Sequence, residues 1–239
     1  ASIVSFFSAT IDPASQANNL FVAYGGGGGA SAAANEQSIN TLALCKMIQS
    51  DGPKDYSLYG STYTLGNGVS LLATSSVGYP GTAFIDNGVL SCSYTTATST
   101  DTGMYNYTTT ITGTGNFTAE GWVRLANTGS STDPNLRCGI FNVGRVLNDA
   151  TTGYSFGMNS SGFCVFDSTS KTFTGVSFTP NAWQHLAFVR TSSTSSILYV
   201  NGTASNTLTI TNQNIPSNGK IIVGTSSDRS GQYNANVNY

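Results

Sequence analysis

The chain carries two glutamates, Glu36 and Glu120, one histidine, His185, and four cysteines, and these bound the chemistry open to it. A retaining glycosidase needs two carboxylates about 5 Å apart, which on one strand means acids two or four residues apart. Neither glutamate has an acid at that spacing, whereas Asp51 and Asp55 have it but enclose Gly52 and Pro53, a turn signal. Gly153-Tyr-Ser-Phe-Gly157 has the letters of a nucleophile elbow. That device requires a strand turning sharply into a helix, and Ser155 instead lies mid-strand in a hairpin pattern. No catalytic residue is therefore assigned.

Metal chemistry fares no better. Cys45, Cys92, Cys138 and Cys164 lie far apart with no C-x-x-C pair, so the close-spaced ligands of a zinc site are missing. Cys138 and Cys164 fall in apolar strand patterns, where a free thiol behaves as a small buried hydrophobe. No metal and no cofactor are expected.

Aromatic rings offer a different chemistry, stacking on the apolar face of a sugar. Trp122 and Trp183 sit among apolar strand neighbours and read as core. Tyr105 and Tyr107, flanked by Thr and Asn, are the better glycan-binding candidates. Glu120 and Arg124 read as a hydrogen-bonded pair or as rim charges.

These residues must be positioned by strands. Only 8% of the 239 residues are charged, against about 25% in average soluble chains, and the net charge is −2. Roughly a quarter of the chain is Ser or Thr, so hydroxyls wet the surface. Nine Lys and Arg cannot build the basic stripe that nucleic acid requires, and no segment approaches the ~18 apolar residues of a membrane span. Neither nucleic-acid binding nor membrane insertion is expected. The N-terminal sequence shows no basic and apolar signal pattern.

Phe117-Thr-Ala-Glu-Gly-Trp-Val-Arg-Leu125 alternates cleanly, with Phe117, Ala119, Val123 and Leu125 on one face and Thr118, Glu120, Trp122 and Arg124 on the other. Strands are also expected over residues 41–48, 63–65, 81–85, 89–94, 136–143, 154–158, 162–167, 183–190, 197–200, 208–211 and 220–224. Asn201-Gly202 reads as a tight hairpin turn because both residues tolerate positive φ. Short strands punctuated by Gly, Asn and Ser indicate an all-β sandwich or jelly roll.

Residues 1–36 differ. Ile3, Val4, Phe6 and Phe7 form an apolar run ending before Pro13, and Leu20 and Phe21 lead into five glycines, Gly25 to Gly29. A glycine run is a flexible hinge. The segment is read as an assembly arm whose anchors are Ile3, Val4, Phe6, Phe7, Leu20 and Phe21, docking on another chain by strand addition or groove filling.

Two stretches carry a family likeness. Gly115-Asn-Phe-Thr-Ala-Glu-Gly-Trp-Val-Arg124 resembles the "FTIE-x-WV" strand of laminin-G-like, concanavalin A-like jelly rolls. Asn181-Ala-Trp-Gln-His-Leu-Ala-Phe-Val-Arg190 with Leu198-Tyr-Val-Asn-Gly202 resembles their "W-x-H-x-A" strand and "YVNG" hairpin. Residues 41–47 and Gly81-Thr-Ala-Phe-Ile-Asp-Asn-Gly88 resemble the opening and "FDG" strands of the versions found in tailed-phage virion proteins. Residues 232–239 resemble the start of the closing strand, which reads as truncated.

The resemblance implies two face-to-face antiparallel sheets over residues 37–239, behind the N-terminal extended arm and hinge of 1–36. It implies glycan or protein binding and a place in assemblies. Calcium-carrying relatives cluster acidic ligands, whereas Asp133, Asp149 and Asp167 are scattered here.

The resulting expectation is a non-enzymatic virion surface protein, a phage capsid decoration or tail-fibre component. It would be homo-oligomeric, held by other virion structural proteins, and able to adhere to surface glycans. The alternative is a carbohydrate-binding lectin or adhesin domain of a cell-surface or secreted protein.

Overall fold

A computed structural model describes residues 5–9, 41–46, 52, 54–55, 62–66, 69–73, 88–92, 104–106, 115–125, 138–145, 152–159, 161–216, 219–224 and 237–238. Every regular element among them is a strand: β1 Ser5–Ala9, β2 Thr41–Lys46, β3 Lys54–Asp55, β4 Thr64–Leu65, β5 Val69–Ala73, β6 Gly88–Cys92, β7 Met104–Asn106, β8 Phe117–Leu125 and β9 Cys138–Arg145. The second half adds β10 Tyr154–Asn159, β11 Gly162–Phe166, β12 Ser170–Thr172, β13 Trp183–Ser192, β14 Ser195–Val200, β15 Thr203–Ala204, β16 Leu208–Thr209, β17 Lys220–Val223 and β18 Val237–Asn238.

Two antiparallel sheets result. One runs β15-β14-β13-β8-β1-β2-β3, with β16 on β14 and with β5, β6 and β18 joined beside β8. The other runs β12-β11-β10-β9-β17-β7-β4. The chain is an all-β, two-sheet antiparallel sandwich, as its strand-turn rhythm and alternating side chains predict.

The core lies where the two sheets face each other. Period-2 alternation turns Phe117, Ala119 and Val123 of β8, Leu186 and Phe188 of β13, and Leu198 and Val200 of β14 inward. They meet Phe141, Tyr154, Phe156 and Phe163 of the opposite sheet. The rings of Phe156 and Phe188 stack at 5.6 Å and 4° across the interface, and Phe117 meets Tyr154 at 5.8 Å. Burying each such ring is worth about 1.5–3 kcal/mol, and each pairing about 0.5–1.5 kcal/mol more.

A polar strap closes one end of the sandwich. Arg190, with 0% exposure, donates to the carbonyls of Gly115 and Ser192 at 3.2 Å and to Asn212 Oδ1 at 2.8 Å. Its guanidinium lies 5.3 Å from the centre of the Tyr154 ring. Tyr154 Oη donates to the Thr211 carbonyl and accepts from the Gln213 amide. Asp167, also fully buried, binds Lys171 Nζ at 2.7 Å and accepts from the Thr211 amide. The segment after β16 is thereby held on the core although it pairs with no strand over residues 211–214.

Ser196 differs from these groups. It faces inward with 0% exposure, and its hydroxyl has no hydrogen-bond partner among the described residues. A buried unpaired hydroxyl costs its desolvation, so Ser196→Ala is expected to leave stability unchanged or to raise it by up to about 1 kcal/mol in urea unfolding. A loss above that size would mean that the hydroxyl is bonded.

Several expectations need correction. Ser5–Ala9, read as part of a detached arm, is a strand paired on both edges within its own chain: Phe6 registers with Ala43 on β2 and with Ala119 on β8. Five extended, apolar-rich residues satisfy a ladder whatever linker follows them, and the glycine run does not decide where the strand goes. Ile3, Val4, Leu20 and Phe21 lie outside the described residues, as does the strand expected over 81–85. Gly52, in the expected turn, has φ +72° between β2 and β3, and Asp55 then pairs with Cys45 in a short strand. No described helix is long and apolar enough to cross a membrane.

Candidate functional site

The long sheet has a second face, opposite the core. Alternation puts Thr118, Glu120, Trp122 and Arg124 of β8 there, beside His185, Ala187 and Val189 of β13 and Ile197 and Tyr199 of β14. Register sets them in rows. His185 stands opposite Trp122, and Ala187 stands between Glu120 on one side and Tyr199 on the other.

Ala187 is buried, and the others are half-buried, with Glu120 retaining 16% exposure and His185 28%. Trp122 and His185 meet edge to face with centroids 5.5 Å apart. Trp122 therefore belongs to the outer face and not to the core expected for it, while Trp183 packs against the margin of the core. Glu120 and Arg124 do not pair: Arg124 Nε donates to the Asn181 carbonyl at 3.1 Å. Glu120 Oε2 instead lies 4.0 Å from His185 Nε2.

Burial governs the protonation of both groups. It pushes the Glu120 carboxyl up from 4.5 to about 7 and lowers the His185 imidazole below its usual range. Both shifts favour the neutral form. The contact is thus two polar groups held near neutrality and not an ion pair.

The hairpin that follows locks this arrangement. Asn201, at φ +49°, and Gly202, at φ +82°, make the two-residue turn between Val200 and Thr203, as the dipeptide predicts. Asn201 then reaches across to His185: its amide donates to the His185 carbonyl at 2.8 Å, and its Oδ1 accepts from the His185 amide at 2.8 Å. The "W-x-H" strand and the "YVNG" turn are one hydrogen-bonded unit that fixes the backbone carrying the imidazole.

The other sequence candidates fall elsewhere. Tyr105 lies in β7 of the opposite sheet, in register with Ile222 and Thr64, and Tyr107 lies outside the described residues. Ser155 is fully buried in β10, so it is no exposed nucleophile, and it donates to Asn142 Oδ1 at 2.5 Å. Cys164 is buried and outside any disulfide, and burial pushes its thiol up to about 12. Among the described residues no three His, Cys, Asp or Glu side chains cluster to hold a metal ion. The Glu120–His185 proximity had no sequence signal of its own, because it arises from cross-strand register between distant segments.

The sequence profile of the concanavalin A-like lectin/glucanases superfamily matches residues 98–238. The chain belongs to that superfamily. Its matched region contains β8, β13 and β14, the strands that carry the outer-face residues.

Comparison with curated protein sequences gives no match. Among solved structures, this superfamily member is similar to the binding domain of Paraclostridial Mosquitocidal Protein 1, at 14% identity and a TM-score of 0.53 over 82% of this chain and 46% of that one. It is similar as well to the botulinum neurotoxin serotype G binding domain, at 16% identity and 0.51 over 82% and 47%. The receptor binding domain of botulinum neurotoxin D gives 15% identity and 0.51 over 78% and 45%. The chain spans less than half the length of each, and at these identities what they share with it is the fold.

Proposed function

We propose that this chain is a non-enzymatic, lectin-like binding module that recognises a saccharide on the outer face of its long sheet, around Trp122, His185, Glu120 and Tyr199. The observation that carries the reading is the Trp122–His185–Glu120 cluster, an aromatic ring and two hydrogen-bonding groups held near neutrality on one half-buried face. Sugar sites combine these features, since an indole stacks on the apolar face of a pyranose while a few convergent polar groups fix its hydroxyls. Perturbed titratable groups also concentrate at functional positions.

Binding is favoured over hydrolysis because burial alone accounts for the displaced Glu120 carboxyl. A second carboxylate close enough for glycosidase chemistry would add a charge effect to it. The solved structures of similar fold bear the names of binding or receptor-binding domains, which accords with this reading.

The proposal extends to the setting. Display on a virion surface, with other virion proteins and further copies of the chain, rests on the likeness of residues 41–47 and 81–88 to tailed-phage strands. An extracellular or cell-surface adhesin is the alternative setting. Immunogold labelling of assembled particles tests it, and particles without the chain would overturn the virion placement alone.

The saccharide reading is tested on a glycan array with the full chain. Trp122→Ala is expected to reduce binding roughly 5- to 150-fold, taking ring stacking on an aromatic side chain as about 1–3 kcal/mol, the range for nucleobases, while circular dichroism stays unchanged. Tyr105→Ala/Tyr107→Ala tests the location read from the sequence. Loss of binding in that double variant with none in Trp122→Ala would move the site to the opposite sheet.

A further inference from the structure

We propose that Glu120 Oε2 and His185 Nε2 form a clip for one hydroxyl group of a neutral saccharide. The inference rests on the saccharide-binding reading and deepens it. The two atoms lie 4.0 Å apart, too far for a direct hydrogen bond, which needs 2.7–3.2 Å. Neither side chain is bonded to any other group among the described residues, although the imidazole nitrogen and the carboxyl oxygen are both strong hydrogen-bonding atoms.

Geometry then favours an inserted oxygen. An atom about 2.8 Å from each partner subtends an angle of about 90° between them, which suits a hydroxyl that donates to one and accepts from the other. The clip is also held in place from both directions. Trp122 abuts the imidazole at 5.5 Å, and Asn201 binds the His185 backbone through both its amide and its side chain.

The row beside the clip carries a small side chain at its centre. Glu120 and Tyr199 are separated by the Ala187 strand, so their backbones stand about 9.6 Å apart with only a methyl group between them. A charged ligand would meet two groups that burial has driven toward neutrality, and the chemical class is therefore a neutral polyol ring.

The test is calorimetric titration of the full chain with methyl glycosides of glucose, galactose and mannose, using whichever binds. Glu120→Ala and His185→Ala are each expected to weaken binding about tenfold. The double variant is expected to weaken it by about the same factor, because one bridging hydroxyl is lost in all three. Glu120→Gln, which keeps a hydrogen-bonding oxygen, is expected to stay within about threefold of wild type and guards against loss of fold in the alanine variant. Single variants that bind as wild type, or effects that multiply to about a hundredfold, would overturn the clip. If Trp122→Ala abolishes binding while both single variants retain it, the clip fails and the saccharide reading stands. If no glycoside and no arrayed glycan binds, both fail together.

Discussion

Glu120→Gln is expected to raise the stability of the chain by about 3 kcal/mol at pH 8 and to leave it nearly unchanged at pH 4. The folded chain holds the Glu120 proton up to about pH 7, where the unfolded chain releases it near 4.5. Between those values the folded state binds more protons, so stability falls as pH rises through the window. The contribution is fully present below about 4.5 and gone above about 7. A displacement of that size corresponds to about 3 kcal/mol, or roughly 6–12 °C in Tm for a domain of this length. His185 acts in the opposite sense just below its usual range, where its lowered affinity for protons costs stability as pH falls. That slope is common to both proteins and cancels in the comparison. Equal differences in Tm at pH 4 and pH 8 would mean that the carboxyl is not desolvated.

The result bears on function as well as stability. A carboxyl that destabilises the fold at neutral pH, with no charged partner among the described residues, has no packing role that Gln or an apolar residue would not fill better. Sites that trade stability for binding have this signature. The same variant is therefore expected to be more stable at pH 8 than wild type while losing little affinity.

Gly144→Ala is expected to cost about 3 kcal/mol without touching the outer face. Gly144 sits in β9 at φ +72°, where an L side chain pays about 1–2 kcal/mol. A Cβ there would lie 2.9 Å from Ile215 Cγ1 and closer still to Cγ2, adding about 1–3 kcal/mol of overpacking. Relief is not available on the other side, since a Cβ on Gly219 would lie 2.7 Å from the Gly144 backbone. β9 and the backbone just before β17 approach through glycines because nothing larger fits. Thermal unfolding checks the cost, and the double variant Gly144→Ala/Ile215→Ala, which removes both γ carbons that a Cβ would meet, is expected to be more stable than the sum of the single effects. A Tm within about 2 °C of wild type for Gly144→Ala would contradict the close approach.

How far these features could be read from the sequence depends on their range. The bounds of β8 follow from its alternation, and Asn201-Gly202 announces its own turn, because both are properties of a few adjacent residues. The two sheets follow from the rhythm of strands and turns. What alternation cannot state is which strand pairs with which. The glycine run after Phe21 suggested detachment, yet Ser5–Ala9 lies between β2 and β8, since a local stretch carries no record of its ladder partners.

The outer-face cluster was hidden for the same reason. Glu120 and His185 were each visible as unusual residues in a chain with so few Glu and His, and Trp122 was visible as a ring on the Glu120 side of its strand. Their meeting is a matter of register, His185 against Trp122 and Ala187 against Glu120. The displaced carboxyl is a further consequence of burial on that face. Apolar neighbours in sequence suggested a core tryptophan, but in a strand the adjacent residues point to the opposite face.

The chain contains two tryptophans, Trp122 and Trp183, so a proton–nitrogen spectrum of the full chain shows two indole signals, each assignable by single substitution. Titration with a saccharide selected on the array is predicted to shift the Trp122 indole and the His185 ring signals together, saturably and with one affinity. Saturable binding that moves residues of the seven-stranded sheet and leaves both of those signals in place would contradict the site.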